Sequence, residues 1–206
     1  MKNIKVIVFD LYNTLVEIRN NNKFFLQLYK ESLNGFNIDI SLYLELVMTK
    51  NEEELFKILP DEFSELFRKY EHVLNEEVNS IFVYDEVLNS LQELQKKHRL
   101  FLISNLAFPY KKPVYNLGIN SYFETMIFSC DFGHMKPDEK IFREIEKRTK
   151  VQPEEVLMIG DSLKSDIKGA EKIGWKSIQI DRKTNSNNLN AIKDLTQLNK
   201  LLITSY

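Results

Sequence analysis

Residues 4–15 read Ile-Lys-Val-Ile-Val-Phe-Asp-Leu-Tyr-Asn-Thr-Leu, and this stretch decides the fold. Continuous apolar runs of this length are typical of strands that are buried on both faces of a parallel sheet. In such sheets, ligands bind beyond the carboxyl ends of the strands. The run therefore predicts a buried strand that delivers the carboxylate of Asp10 to a binding edge, with Thr14 close behind it.

Four further apolar runs predict strands in the second half of the chain, at residues 100–103, 126–128, 156–159 and 177–180. Helical stripes of apolar residues lie between these runs. Alternating strands and helices imply right-handed crossovers between parallel strands. We therefore predict an α/β fold, with a three-layer Rossmann-like parallel sheet as its core.

From about Phe24 to Leu74 the chain carries a different pattern, which is purely helical. One stripe predicts a single helix face, formed by Phe63, Leu66, Phe67, Tyr70, Val73 and Leu74. Because this block separates the first strand from the others, it indicates an insertion into the sheet domain. We predict a helical cap at 16–81, a core formed by 1–15 and 82–206, and hinges near 16–19 and 81–84.

The bulk composition excludes several classes of protein. The 206 residues suit one medium domain with a small insertion, and a net charge of -2 gives no basic field for nucleic acid. No apolar stretch is long enough for a membrane span, and the first strand leaves no room for a signal peptide. The one cysteine, Cys130, fits a reducing compartment and is expected to be an ordinary strand residue. These properties predict a cytoplasmic protein with no nucleic-acid or membrane partner, and they leave a monomer or a homodimer open. An Asn- and Ser-rich segment at 185–190 predicts a surface loop.

Polar residues follow several of the predicted strands. The first strand ends at Asp10, the second at Ser104–Asn105 and the fourth at 160–162, while Lys136 follows the third after a short loop. Each residue alone has an ordinary explanation as a helix cap, a turn residue or a solvated charge. Together, two acids suit a divalent cation, while a lysine and a hydroxyl suit an anion beside it.

With these residues in order, the chain resembles the haloacid dehalogenase (HAD) superfamily of hydrolases, of the type with a small α-helical cap. The first motif is similar to 10–16 and the second to the strand that ends at Ser104–Asn105. The third is similar to Lys136–Pro137–Asp138, and the fourth to Gly-Asp-Ser-Leu-Lys-Ser-Asp at 160–166. Four motifs in this order are far more specific than any one of them.

The resemblance implies that Asp10 is a nucleophile that forms a covalent aspartyl intermediate. An aspartate of ordinary pKa is already ionised near pH 7. The phosphatases of the superfamily use Mg²⁺, and the implied metal ligands here are Asp10, the backbone carbonyl of Tyr12, and Asp161. The metal would offset the repulsion between a phosphate and the attacking carboxylate.

The resemblance also assigns the remaining site residues. Thr14 and Ser104 would hold phosphoryl oxygens, and Lys136 would balance the charge of nucleophile and phosphate. Asp166 would orient Lys136 or a metal-bound water. The residues expected at the substrate are Tyr12, Asn105 and Ser162.

Tyr12 breaks the phosphatase pattern, because phosphatases of this superfamily usually carry a second aspartate two residues after the nucleophile. A phenol with a pKa of about 10 is a poor base at neutral pH. The first motif of the dehalogenases resembles Asp-x-Tyr, and a halide leaves as an anion without an acid. Dehalogenation is therefore the alternative to a Mg²⁺-dependent phosphatase on a small phosphorylated metabolite.

The rest of the chain departs from the dehalogenase pattern. The fourth motif of the dehalogenases resembles Ser-Ser-Asn. This chain has Asp161 in that motif and Leu163 at the position of the asparagine. Their tyrosine after the lysine is Phe142 here, and no arginine lies between Arg19 and Arg68 for a substrate carboxylate or halide. We therefore favour the phosphatase, and keep as a third possibility a phosphate-binding protein with little turnover.

Two residues are candidates to replace the missing acid, His134 near Lys136 and Glu17 at the start of the cap, although each is more typically a solvated side chain. The other histidines, His72 and His98, are expected on the surface. The candidate lid residues are aromatic, although such stripes are usually core: Phe24, Phe25, Tyr29 and Tyr43. A lid that is aromatic and poor in arginine indicates a substrate of low charge beyond its phosphate.

Overall fold

The structure is a computed structural model and describes residues 3–182 and 191–203. The predicted loop at 185–190 lies outside the described residues. The strands are β1 (Val6–Phe9), β2 (Val16–Ile18), β3 (Ile81–Val83), β4 (Arg99–Ser104), β5 (Thr125–Phe128), β6 (Val156–Gly160), β7 (Lys176–Ile180) and β8 (Ala191–Ile192). The α-helices are α1 (Phe24–Glu31), α2 (Ile40–Thr49), α3 (Glu52–Ile58), α4 (Asp61–Lys69), α5 (Glu71–Asn79), α6 (Val87–Leu94), α7 (Lys112–Asn116), α8 (Ser129–Phe132), α9 (Glu139–Thr149), α10 (Lys168–Lys172) and α11 (Leu195–Ile203).

Six strands form one parallel sheet in the order β5-β4-β1-β6-β7-β8. The five strands predicted from apolar runs are all present in it, and β1 lies inside the sheet between β4 and β6. The short edge strand β8 was not predicted, because two residues give no detectable pattern. The predicted Rossmann-like α/β core is confirmed.

The two faces of β1 show why its apolar run is continuous. Val6 and Val8 pack into one core, to which α9 and α10 contribute, while Ile7 and Phe9 pack into the other with α6 and α11. Successive side chains of a strand point to opposite faces, so a strand covered on both sides needs apolar residues throughout. All four of these side chains are fully buried.

The inserted segment holds helices α1–α5 and an aromatic core of its own that contacts the main core around Ala107 and Phe108. Its two ends, where hinges were expected, pair as an antiparallel ribbon of β2 with β3 that the sequence did not predict. The predicted single helix through 63–74 is wrong, because the chain turns at Tyr70 between α4 and α5. The boundaries of a separate cap and its hinges stay predictions.

Two smaller expectations are corrected. Cys130 lies in helix α8 rather than in a strand, and its burial raises the pKa of the thiol to about 12. His98 is buried rather than on the surface, with Nδ1 3.0 Å from the carbonyl oxygen of Ile4, whereas His72 is exposed as expected. Among the described residues, no helix is both long and apolar enough to cross a membrane.

Candidate active site

The carboxyl edge of the sheet brings the predicted site residues together around a polar cavity of about 180 Å³. Asp10 follows β1, Ser104 ends β4, and Asp161 follows β6. Lys136 lies in the loop after α8, and Asp166 lies in a π-helical turn before α10. All five line this cavity, which we call the polar cavity. The five residues therefore meet at the edge of the sheet where ligands bind in folds of this kind.

Lys136 is the centre of a buried ion triad. Its Nζ lies 2.6 Å from Asp10 Oδ1 and 2.6 Å from Asp166 Oδ1, and it donates to the carbonyl of Ile103 at 2.9 Å. An ammonium group has three donors, so these contacts use all of them. Burial opposes the charged form, but the charges of Asp10 and Asp166 together raise the pKa of Lys136.

Asn105, directly after β4, holds the backbone of Lys136. Its amide Nδ2 donates to the Lys136 carbonyl at 2.8 Å, and its Oδ1 accepts from the Lys136 N–H at 2.8 Å. This reciprocal pair fixes the position from which the lysine reaches the triad. Asn105 was predicted to bind substrate, and it does line the polar cavity.

Asp10 lies in a low-dielectric position. Burial raises the pKa of its carboxyl to about 7, with Lys136 opposing this shift and Asp166 adding to it. The expectation of an ordinary carboxyl pKa was therefore wrong, because the strand end is enclosed by neighbouring elements. The hydroxyls of Thr14 and Ser104 lie 3.4 Å from its two oxygens, which places both predicted hydroxyl groups beside the predicted nucleophile.

Asp166 is held in place by its own turn. The backbone N–H of Ser162 donates to Asp166 Oδ2 at 3.0 Å, while the Ser162 hydroxyl accepts from the Ser165 N–H at 3.2 Å. Gly160 leaves the space for this approach, since an added Cβ there would overlap the Asp166 carboxylate. Ser162 thus caps the turn, and Ser165 rather than Ser162 is among the residues that line the polar cavity.

The carboxylates of Asp10, Asp161 and Asp166 form one cluster, with an oxygen of each within 4.8 Å of the others. Burial, followed by the charge of Asp166, raises the pKa of Asp161. Three acids close to a single lysine leave an excess of negative charge, and carboxylate oxygens are the ligands that Mg²⁺ prefers. The donor set therefore fits a divalent cation beside Asp10 and Asp161.

Asn13 belongs to this cluster but was not predicted. Its side chain hydrogen-bonds Asp161, and its φ of 59° is in the left-handed region, which asparagine tolerates better than most residues. It also lines the polar cavity. The asparagine at a turn directly after a strand was the available signal.

Tyr12 stands at the boundary between the polar cavity and a larger one. Its hydroxyl donates to the backbone carbonyl of Tyr110 at 2.9 Å, and the two rings meet edge to face with centroids 6.2 Å apart. Burial, with the charges of Glu77 and Asp10, raises the pKa of the phenol. Its proton is therefore held by the backbone and points toward Tyr110.

The larger cavity has a volume of about 400 Å³ and lies between the inserted helices and the core. Its wall includes two of the predicted lid aromatics, Phe24 and Phe25. Tyr29 and Tyr43 pack instead in the aromatic core of the inserted segment. We call this space the apolar cavity.

Arg182 was missed by the sequence analysis, although it supports the first motif. Its guanidinium donates twice to the carbonyl of Thr14, at 2.9 and 2.7 Å, and pairs with Glu86 at 2.7 Å. It also stacks 3.8 Å above the ring of Tyr84. Arg182 follows β7 by two residues, so the strand-end rule would have found it if it had been applied to the last predicted strand.

Glu77 is a second residue that the sequence did not reveal. Its buried carboxylate accepts from the backbone N–H of Phe24 at 3.2 Å and from the hydroxyl of Tyr110. It thereby joins α5 to the start of α1 and to the segment behind Tyr12. The proposed substitutes for a missing acid lie elsewhere: Nδ1 of His134 contacts Asp138 at 2.8 Å, and Glu17 lies in the ribbon strand β2.

Residues 4–174 match the model of the haloacid dehalogenase-like hydrolases. The chain belongs to this family. The resemblance drawn from the four motifs is therefore confirmed, and so is the prediction of a hydrolase.

The similar proteins include one that is named as a phosphatase and one that is named as a dehalogenase. A glyceraldehyde 3-phosphate phosphatase of Pyrococcus abyssi is 30% identical over 85% of this chain and 80% of its own length. A 2-haloacid dehalogenase of Pseudomonas syringae is 22% identical, with a TM-score of 0.68 over 98% of this chain and 100% of its own. A HAD family enzyme of Bacteroides thetaiotaomicron, solved with magnesium and inorganic phosphate, is 19% identical, with a TM-score of 0.67 over 90% and 98% of the two chains. At these identities the two structures show the fold alone.

Proposed function

We propose that this protein is a Mg²⁺-dependent phosphatase that hydrolyses a small phosphorylated molecule through an aspartyl intermediate on Asp10. The observation that carries the proposal is the acidic cluster of Asp10, Asp161 and Asp166 around Lys136. A phosphate dianion would be repelled by this cluster unless a cation joined it. The Pyrococcus relative, which is named as a phosphatase, supports the same chemistry.

Each residue of the polar cavity has a separate role in this proposed reaction. Asp10 attacks phosphorus, and Lys136 holds its Oδ1 in one orientation from 2.6 Å. The hydroxyls of Thr14 and Ser104, which flank the two carboxylate oxygens, are placed to donate to phosphoryl oxygens once a phosphate enters. Asp166 is the positioning residue that fixes Lys136 from the other side.

The residues proposed to hold Mg²⁺ are Asp10, Asp161 and the backbone carbonyl of Tyr12. When bound, the ion supplies positive charge that offsets the negative charge of the carboxylates and the phosphate. An adjacent positive charge also favours the ionised form of Asp10, whose pKa is otherwise raised by burial.

Dehalogenation is the second candidate, and Tyr12 is the observation that favours it. Because its hydroxyl already donates a hydrogen bond to the Tyr110 carbonyl, Tyr12 has no proton to give to a leaving group. A departing halide needs no such proton. Against this candidate stands the acidic cluster, because a haloacid substrate carries a carboxylate of its own. A protein that binds phosphate with little turnover is the third candidate.

Phosphate release from p-nitrophenyl phosphate and from glyceraldehyde 3-phosphate, measured with and without Mg²⁺, separates these functions. The phosphatase proposal expects turnover of at least one ester that EDTA abolishes and that Asp10→Asn removes. Chloride release from 2-chloropropionate without metal would instead establish a dehalogenase. If neither assay gives turnover while inorganic phosphate still binds by calorimetry, the protein is a phosphate-binding protein.

A further inference from the structure

The apolar cavity adjoins the polar cavity, and both are lined by Tyr12 and Asn105. A phosphate held at Asp10 therefore directs its ester group toward the apolar cavity. The wall there is almost wholly hydrocarbon, with contributions from Phe24, Phe25, Leu44, Val47, Met48 and Leu106. An apolar cavity of about 150 Å³ is enough to bind benzene, so the volume of about 400 Å³ accepts a substituted ring.

Polar groups are scarce in this wall. Lys23 is the charged residue among the described lining residues, and its side chain is exposed at the start of α1. A sugar or polyol would leave its hydroxyls facing hydrocarbon, which costs free energy for each unpaired group. The wall therefore selects against polyhydroxylated leaving groups.

The boundary between the two cavities is also poor in proton donors. The hydroxyl of Tyr12 is committed to the carbonyl of Tyr110, and the three donors of Lys136 are committed to the triad and to Ile103. The acids described there are the proposed nucleophile, the proposed metal ligand Asp161, and Asp166, which is bound to Lys136. An ester oxygen that leaves at this boundary must therefore depart as an anion.

This requirement discriminates between alcohols. A phenol has a pKa of about 10, whereas an aliphatic alcohol is close to water, at about 15.7. General acid catalysis is typically worth about 10²–10⁴-fold. Its absence penalises an alkyl ester far more than an aryl ester.

We propose, on the basis of the phosphatase function above, that the substrates of this protein are phosphate monoesters of apolar phenols. In the first step a bond forms between a carboxylate oxygen of Asp10 and phosphorus, and the bond between phosphorus and the phenolic oxygen breaks. The electron pair of the broken bond leaves with the oxygen as a phenolate, which takes a proton from water after it departs. Water then hydrolyses the aspartyl phosphate.

Two matched pairs of esters test the two parts of this proposal, using the full chain with Mg²⁺. Phenyl and cyclohexyl phosphate have similar size and polarity but differ in the pKa of the leaving group. We expect kcat/KM to be larger for the phenyl ester by a factor of about 10² or more. Cyclohexyl phosphate and glycerol 3-phosphate are both alkyl esters that differ in polarity, and we expect KM to be at least about tenfold lower for the cyclohexyl ester, from its burial of apolar surface.

Substitutions in α2 offer a matched control. Leu44 and Leu42 are similarly exposed, at 39% and 47%, but only Leu44 is among the residues that line the apolar cavity. Leu44→Glu is expected to raise KM for phenyl phosphate severalfold, while Leu42→Glu leaves it within twofold. Lys23→Met is expected to leave the phenyl-to-cyclohexyl ratio unchanged.

The outcomes separate this proposal from the one on which it rests. If cyclohexyl phosphate is hydrolysed within tenfold of phenyl phosphate, or Lys23→Met steepens the ratio, a proton donor acts and the proposal is overturned. If glycerol 3-phosphate matches cyclohexyl phosphate, the apolar cavity is not the leaving-group site. In each of these cases Mg²⁺-dependent turnover leaves the phosphatase function intact, whereas no turnover of any ester overturns both.

Discussion

The polar and apolar cavities share Tyr12 and Asn105 but are built on different principles. In the polar cavity, buried charges at 2.6 Å fix one another, and its residues come from the ends of several strands. In the apolar cavity, hydrocarbon side chains from the inserted helices meet the core, and shape rather than charge defines the space. In the proposed scheme, the reaction and the choice of substrate therefore depend largely on different residues, and variants in each set should affect them separately.

The largest expected effect comes from removing the carboxylate of Asp10. Asp10→Asn keeps the volume of the side chain but removes the proposed nucleophile, so kcat should fall by a factor on the order of 10⁴. Thermal unfolding and the binding of inorganic phosphate with Mg²⁺ report whether the cavity survives. A variant that retained a tenth of the wild-type kcat would show that another group attacks phosphorus.

Removing the lysine of the ion triad should show how much the triad contributes to the free energy of unfolding. Lys136→Met leaves Asp10 and Asp166 buried with their cation removed, and breaking such a pair typically costs about 3–5 kcal/mol in the free energy of unfolding. Urea denaturation near pH 8 measures this loss. The matched control is Lys164→Met, an exposed lysine of the neighbouring turn, which should stay within about 0.5 kcal/mol of wild type.

A second substitution tests whether uncompensated charge explains the loss of stability in Lys136→Met. Adding Asp166→Asn to Lys136→Met removes one of the two uncompensated carboxylates, so the double variant should be more stable than Lys136→Met alone. If the double variant is less stable, packing around the lysine stem, and not charge, explains the loss.

The polar cavity was largely predictable from sequence, and the apolar one was not. Buried parallel strands require continuous apolar runs, so the end of each run located residues such as Asp10 and Ser104. The parallel topology then brought these ends to one edge. Within the apolar cavity, the pairing of Tyr12 with the carbonyl of Tyr110 joins residues 98 positions apart, and no local pattern records such a contact.

The same limit explains what the sequence analysis missed in the inserted segment. The stripe through residues 63–74 has the period of one helix, but the turn at Tyr70 lets α4 and α5 pack on different neighbours. The ribbon of β2 with β3 depends on the two ends of the insertion meeting, which is a tertiary event. Local periodicity reports which face is buried and leaves open where the chain turns.

Arg182 offers an intermediate test, because it supports the polar cavity from outside it. The Arg182 side chain is only 7% exposed. Arg182→Met removes the donor to the Thr14 carbonyl and leaves Glu86 with the Leu195 N–H but no cation, which should cost about 2–3 kcal/mol in the free energy of unfolding. Arg182→Lys should recover only part of this, since an ammonium lacks the planar fork. Arg148→Met, at an exposed pair on α9, is the control and should change stability by less than about 0.5 kcal/mol. If Arg148→Met and Arg182→Met behaved alike, the contacts of Arg182 would be without energetic weight.

The smallest effect concerns the buried acid on the apolar side, Glu77. Burial raises its pKa above the value of 4.5 expected in the unfolded chain, so the folded state holds this proton more tightly than the unfolded state does. The stability that the protonated carboxyl contributes is complete below pH 4.5 and is lost as pH rises through the folded pKa. Glu77→Gln, which keeps an acceptor for Phe24, should therefore become more stable relative to wild type between pH 5 and pH 8. Urea unfolding at the two pH values measures this difference, with Glu76→Gln, an exposed neighbour on α5, as the control that should show no such trend. A difference that stayed constant with pH would mean that Glu77 is ionised as readily as in the unfolded chain, and burial would then not raise its pKa.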